Sequence, residues 1–150
     1  MNRIILLLFL VAPGLTFAQL SKKDKKEIKT YTTDVCECVS DLINSLDPKA
    51  VEYMAILFEE GGEKANDFLT NYITSASEED ANRVNASFTA MSADSFGLKI
   101  EECDDKSKVD VKIARDIDNQ VGEPHEYFLQ MLDEGKSCFW LKNFYLLGNQ

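Results

Sequence analysis

The chain has 150 residues, with 26 acidic against 16 basic side chains, a formal charge of −10 and 45% hydrophobic residues. That is enough chain to bury a core of its own. The acidic balance sets it against nucleic acid and anionic lipid surfaces, and the single histidine, His125, leaves little for zinc or histidine-based chemistry.

Asn2 and Arg3 precede an apolar run from Ile4 to Ala12. Pro13 and Gly14 break it, and Thr16-Phe17-Ala18 supplies the small residues of a cleavage site. The run is well short of the ~20 apolar residues that a membrane span needs. The layout predicts a signal peptide over 1–18, cut near Ala18–Gln19, and a single helical domain over 19–150. That domain is expected to be secreted or periplasmic, with no stable membrane anchor after cleavage. The lysines that follow (Lys22, Lys23, Lys25, Lys26 and Lys29) are interrupted by Asp24 and Glu27, the pattern of a solvated helix face.

From there the periodicity is helical almost throughout. Ser21 is placed to cap a first helix running to about Ser45, with apolar positions Ile28, Tyr31, Val35, Val39, Leu42 and Leu46 spaced by three and four. Asp47-Pro48 restarts the chain as cap and first helical residue. Val51, Met54, Leu57 and Phe58 mark a second helix, ended by Gly61-Gly62. Ala65, Phe68, Leu69, Tyr72 and Ile73 form a third apolar face. Ser77-Glu78-Glu79-Asp80 resembles a capping box and opens a long helix carrying Val84, Phe88, Met91, Phe96, Ile100 and Cys103, weakened by ~1 kcal/mol at Gly97.

Val109, Val111 and Ile113 alternate with charged residues as in a strand, whereas Ile113, Ile117 and Val121 fit a helix. Helix is favoured, because a lone strand leaves its backbone groups unpaired. Gly122 should stop it. Pro124 then starts a helix with Tyr127, Phe128, Met131 and Leu132, which Gly135 ends. The final stretch, Cys138 to Leu147, is apolar on nearly every face, so that helix is either buried or bound to something. The fold expected is all-α, an irregular bundle of five or six helices cross-braced by two disulfides.

The four cysteines are Cys36, Cys38, Cys103 and Cys138. An even count behind an export signal reads as two disulfides. At about 100° per residue, Cys36 lies about 100° to one side of Val35 and Cys38 about 60° to the other. Their side chains point apart, which disfavours a bridge between them. Two pairings survive: Cys36–Cys103 with Cys38–Cys138, or Cys36–Cys138 with Cys38–Cys103. A redox role is disfavoured, because Asp34 and Glu37 raise the thiol pKa rather than lower it.

No catalytic motif and no cofactor is indicated. A calcium loop beginning at Asp116 fails at Val121 and Tyr127, where glycine and glutamate are required. The acidic clusters read as helix N-termini or wet faces, and no metal site is expected. What remains is the aromatic C-terminus, where Phe139, Trp140, Phe144 and Tyr145 form a candidate surface for a protein partner or ligand.

The leading expectation is a non-enzymatic exported module for protein interaction or structure. One alternative is a carrier of a small apolar ligand, with an inter-helix pocket lined by residues such as Phe88, Met91, Phe128 and Trp140. The other is a carboxylate-dependent hydrolase, which requires two carboxyls converging at ~5–10 Å.

Overall fold

A computed structural model describes residues 20–148. The proposed leader over 1–18 and its cut at Ala18–Gln19 lie outside the described residues. Within them the chain forms α1 (Lys22–Asn44), α2 (Pro48–Glu59), α3 (Gly62–Ser75), α4 (Glu78–Ser92) and α5 (Asp94–Lys106). These are followed by α6 (Val111–Asp118), α7 (Gly122–Glu134), a short 3-10 turn (Lys136–Cys138) and α8 (Phe139–Gly148). No strand occurs among the described residues. The architecture is the expected all-α bundle cross-braced by two disulfides, divided into more helices than the five or six expected.

Local sequence sets most helix starts. The Ser21 hydroxyl accepts the Asp24 N–H while the Asp24 carboxylate accepts the Ser21 N–H, a reciprocal cap for α1. Asp47 accepts the Lys49 N–H at 2.9 Å and Pro48 follows at the first helical position. Ser77 caps α4 through the Asp80 N–H, and Asp110 caps α6 through the Lys112 N–H. Gly61, at φ 92°, makes the turn between α2 and α3 in a conformation that disfavours other residues.

The long helix expected from Ser77 to Cys103 is two helices. The break falls at Ala93, whose ψ of 142° is extended, and not at Gly97. Ser92, Asp94 and Ser95 are weak helix formers, and the Ser92 hydroxyl donates to the Thr89 carbonyl at 3.0 Å. The restart buries Phe96 and brings Cys103 to α1.

Helix α6 also stops earlier than the Ile113–Ile117–Val121 spacing implies. Gln120 turns left-handed at φ 56°. The Gln120 N–H then bonds to the Ile117 carbonyl and the Val121 N–H to the Asp116 carbonyl, closing the helix as a Schellman motif. Val121 is left 55% exposed, and Gly122 begins α7 instead of ending α6.

The core is organised on α1. Ile28, Tyr31, Val35, Val39 and Ile43 are buried, together with Thr32 and Cys36. The stripe leans toward the Cys36 side, so Ile43 replaces Leu42 and Leu46, which are only half-buried. Against it pack Phe96, Ile113, Ile117, Phe128, Leu132, Cys138 and Trp140. Each large apolar side chain removed from water contributes about 1.5–3 kcal/mol relative to exposure. Thr32 is buried without penalty because its hydroxyl donates to the Ile28 carbonyl at 2.8 Å.

Candidate functional site

The two bridges are Cys36–Cys138 and Cys38–Cys103, so one of the two surviving pairings is realised. The divergence of Cys36 and Cys38 around α1 explains it. Cys36 points into the core and meets the turn before α8, while Cys38, half-buried, meets the last turns of α5. The first bridge is reinforced by the Ser40 hydroxyl, which donates to the Ser137 carbonyl at 2.7 Å. It also depends on Gly135. A Cβ there would stand 2.6 Å from Cys138 Sγ and 3.0 Å from the Met131 carbonyl oxygen, so the residue is required for space; its φ of −78° is ordinary.

These ties hold two walls around a cleft. Ile100, Glu101, Asp104 and Asp105 lie within a turn of Cys103 on α5. Leu141 lies one turn beyond Cys138 on α8, and Tyr31 and Val35 lie on α1 just before Cys36. With Ile117, Asp118, Phe128 and Tyr145 they enclose about 450 Å³ in a half-open cleft. Its floor is apolar (Val35, Ile100, Ile117, Phe128 and Leu141) and its rim carries four carboxylates, Glu101, Asp104, Asp105 and Asp118. The volume falls in the range of small-molecule sites.

Two phenols bridge floor and rim. The Tyr31 hydroxyl donates to Asp104 Oδ1. Burial, that hydrogen bond and the charges of Asp104 and Asp118 all hold the Tyr31 phenol well above its ordinary range. Tyr145 sets its ring edge-on to Phe128 at 5.5 Å, and its hydroxyl lies 3.3 Å from His125 Nδ1 on α7. Partial burial, then the charge of Asp104, raises the Asp118 carboxyl above the usual carboxylate value. The field in the cleft is therefore negative.

The aromatic segment singled out in the sequence divides between two places. Phe139, Trp140 and Phe144 surround Phe58 of α2 in edge-to-face contacts at 6.4, 6.1 and 5.6 Å. Trp140 is only 8% exposed and serves the core. Tyr145 alone of the four lines the cleft. Of the residues expected around an inter-helix pocket, Phe128 is there. Phe88 instead packs edge-on to Tyr53 at 5.1 Å, and Met91 and Trp140 do not line the cleft.

Tyr31 and Ile100, expected only as apolar helix positions, and Asp104 and Asp118 also line the cleft; the grouping of acids at 101–105 and 116–118 is the one signal of it in the sequence. Among the described residues, no three His, Cys, Asp or Glu side chains form a group suited to holding a metal ion. No helix among them is long and apolar enough to cross a membrane. Compared with known protein families, curated proteins and solved structures, the chain matches none.

Proposed function

We propose that this chain is an exported, non-enzymatic binding protein whose inter-helix cleft takes a small ligand through its apolar body. The observation that carries this reading is the cleft itself: about 450 Å³ over a floor of Val35, Ile100, Ile117, Phe128 and Leu141. Both walls are anchored by disulfides, which favours a pre-formed site over one that assembles on binding. Export is supported by two disulfides, which persist in oxidising compartments, and by the leader-like residues 1–18.

Partner binding through Phe139, Trp140 and Phe144 draws less support, because their rings are engaged with Phe58. Leu146 and Leu147 next to them are exposed, which is ordinary for scattered surface leucines. A hydrolase reading has four carboxylates in one cleft to draw on, but Asp104 is already engaged as acceptor for Tyr31.

The test is titration of the oxidised protein with 1-octanol, followed by amide and methyl NMR shifts. Saturable shifts centred on Val35, Ile100 and Ile117 are expected. Ile100→Trp, which fills the cleft from a half-buried position, should abolish them while the protein stays folded. Shifts confined to Leu146 and Leu147, or none at all, would contradict the reading.

A further inference from the structure

We infer that the occupant of the cleft is an organic cation, an alkyl- or arylammonium compound whose hydrocarbon part lies on the apolar floor and whose charged nitrogen sits at the acidic, aromatic rim. This rests on the cleft being a ligand site and adds the chemical class of the ligand.

The charge pattern points one way. Glu101, Asp104, Asp105 and Asp118 line the cleft, and no lysine, arginine or histidine does. None of the four takes part in any ion pair among the described residues. The ion pairs among the described residues all lie outside the cleft: Lys23 meets Glu27, Lys49 meets Glu52, Lys142 meets Asp133, and Arg83 reaches Asp47, Glu79 and Asp80. What sets the cleft apart is that four acids converge on one concave apolar surface. The cleft is thus a place where negative charge gathers over low-dielectric walls without a counter-charge from the protein, the arrangement that concentrates cations.

The second element is aromatic. Tyr31, Phe128 and Tyr145 line the same cleft, with Phe128 lying 6.3 Å from the Tyr31 ring and 5.5 Å from that of Tyr145. Aromatic faces attract an ammonium group within about 6 Å of the ring. A fatty acid or other anionic amphiphile would instead bring a carboxylate against four others. A fully polar polycation would leave the floor of Val35, Ile100, Ile117 and Leu141 unused.

Three probes of one hydrocarbon length separate the possibilities: octylammonium, 1-octanol and octanoate, each titrated by NMR at low and high salt. Octylammonium should bind about tenfold more tightly than octanol, the scale of one partly desolvated cation–aromatic or charge contact. Octanoate should be the weakest, and the preference should shrink as salt screens the rim. The Asp104→Asn/Asp118→Asn double variant should lose most of the preference for octylammonium over octanol. Glu63→Gln on α3, off the cleft, should keep it.

Equal affinity for octanol and octylammonium, or a preference that survives in the double variant, overturns the cation assignment and leaves the cleft as an apolar site. If no probe perturbs the cleft residues, both the cation assignment and the ligand site fall.

Discussion

Helix α1 and helices α5–α8 are joined by two disulfides and by large buried side chains, whereas α2–α4 carry no bridge among the described residues and bury mainly small ones. In the first region Ile28, Val35, Val39, Phe96, Ile117, Phe128, Leu132 and Trp140 form one packed cluster. In the second, α2 buries Ala50 and Met54, α3 only Ala65, and α4 Val84 and Ser87. The second region joins that cluster through Met54, with Val51, Tyr53, Ala55 and Phe58 of α2 packed against it, and is tied within itself by polar contacts such as the Asp47 N–H to the Ser87 hydroxyl at 2.9 Å and Arg83 to Asp47 at 3.6 Å. The cleft lies wholly in the first region. Both disulfides are thus placed beside the cleft, where a binding site needs fixed walls.

The sharpest way to break this contrast is to cut a bridge. Cys36→Ser/Cys138→Ser opens a tie spanning 102 residues and leaves two hydroxyls in the core. It should cost ~4 kcal/mol by urea denaturation. Cys38→Ser/Cys103→Ser spans 65 residues with one half-buried end, and should cost less, ~3 kcal/mol.

A matched pair of truncations compares the regions directly. Val39 and Val84 are both 0% exposed. Val39→Ala lies between bridged helices that cannot close on the cavity and should cost ~2.5 kcal/mol. Val84→Ala, among helices without a bridge, should cost ~1 kcal/mol. Equal losses would mean that α2–α4 are packed as tightly as the rest. Gly135→Ala forces a Cβ against Cys138 Sγ and should cost ~2 kcal/mol. The same substitution at Gly97, where an added Cβ meets nothing within 4 Å, should stabilise α5 by up to ~1 kcal/mol.

Tyr31→Phe removes the bond to Asp104 and should cost ~1 kcal/mol at neutral pH. The folded-state phenol is raised above its unfolded value, so its contribution is fully present below pH ~10 and is lost as pH rises further. The parent should therefore lose stability in alkali more steeply than Tyr31→Phe, as thermal melts across pH 8–11 would show.

Asp118 gives the smallest effect, with opposite consequence. Its carboxyl is raised in the folded state, so ionising it at neutral pH disfavours the fold, and the strain is relieved as pH falls through the raised value. Asp118→Asn should stabilise at pH 7 by no more than ~0.5 kcal/mol, given its exposure. The gain should vanish below the carboxylate range.

Much of this architecture was legible in the sequence because it depends on local rules. The Ser21, Asp47 and Ser77 caps, the stripe through Ile28, Val35 and Val39, and the divergence of Cys36 and Cys38 follow from helix geometry alone. The split at Ala93 was not legible, since a chain of weak helix formers stays helical or bends according to what Phe96 and Cys103 must reach. The cleft was hidden for a related reason. Whether Asp104 and Asp118 face open water or one another depends on how α5 and α6 pack around α1, and periodicity within each helix carries no information about that. The C-terminal aromatics misled in the other direction: a helix apolar on every side does not announce that Trp140 will go to the core and Tyr145 to a cleft.

The most direct test is the cysteine connectivity of the oxidised protein. Glu37 separates Cys36 from Cys38, so glutamate-specific cleavage with free thiols blocked parts them without reduction. Mass spectrometry should then find the Cys36 peptide joined to that of Cys138 and the Cys38 peptide joined to that of Cys103. Cys36 joined to Cys103, or free thiols at these positions, would contradict the braced framework and the cleft built on it.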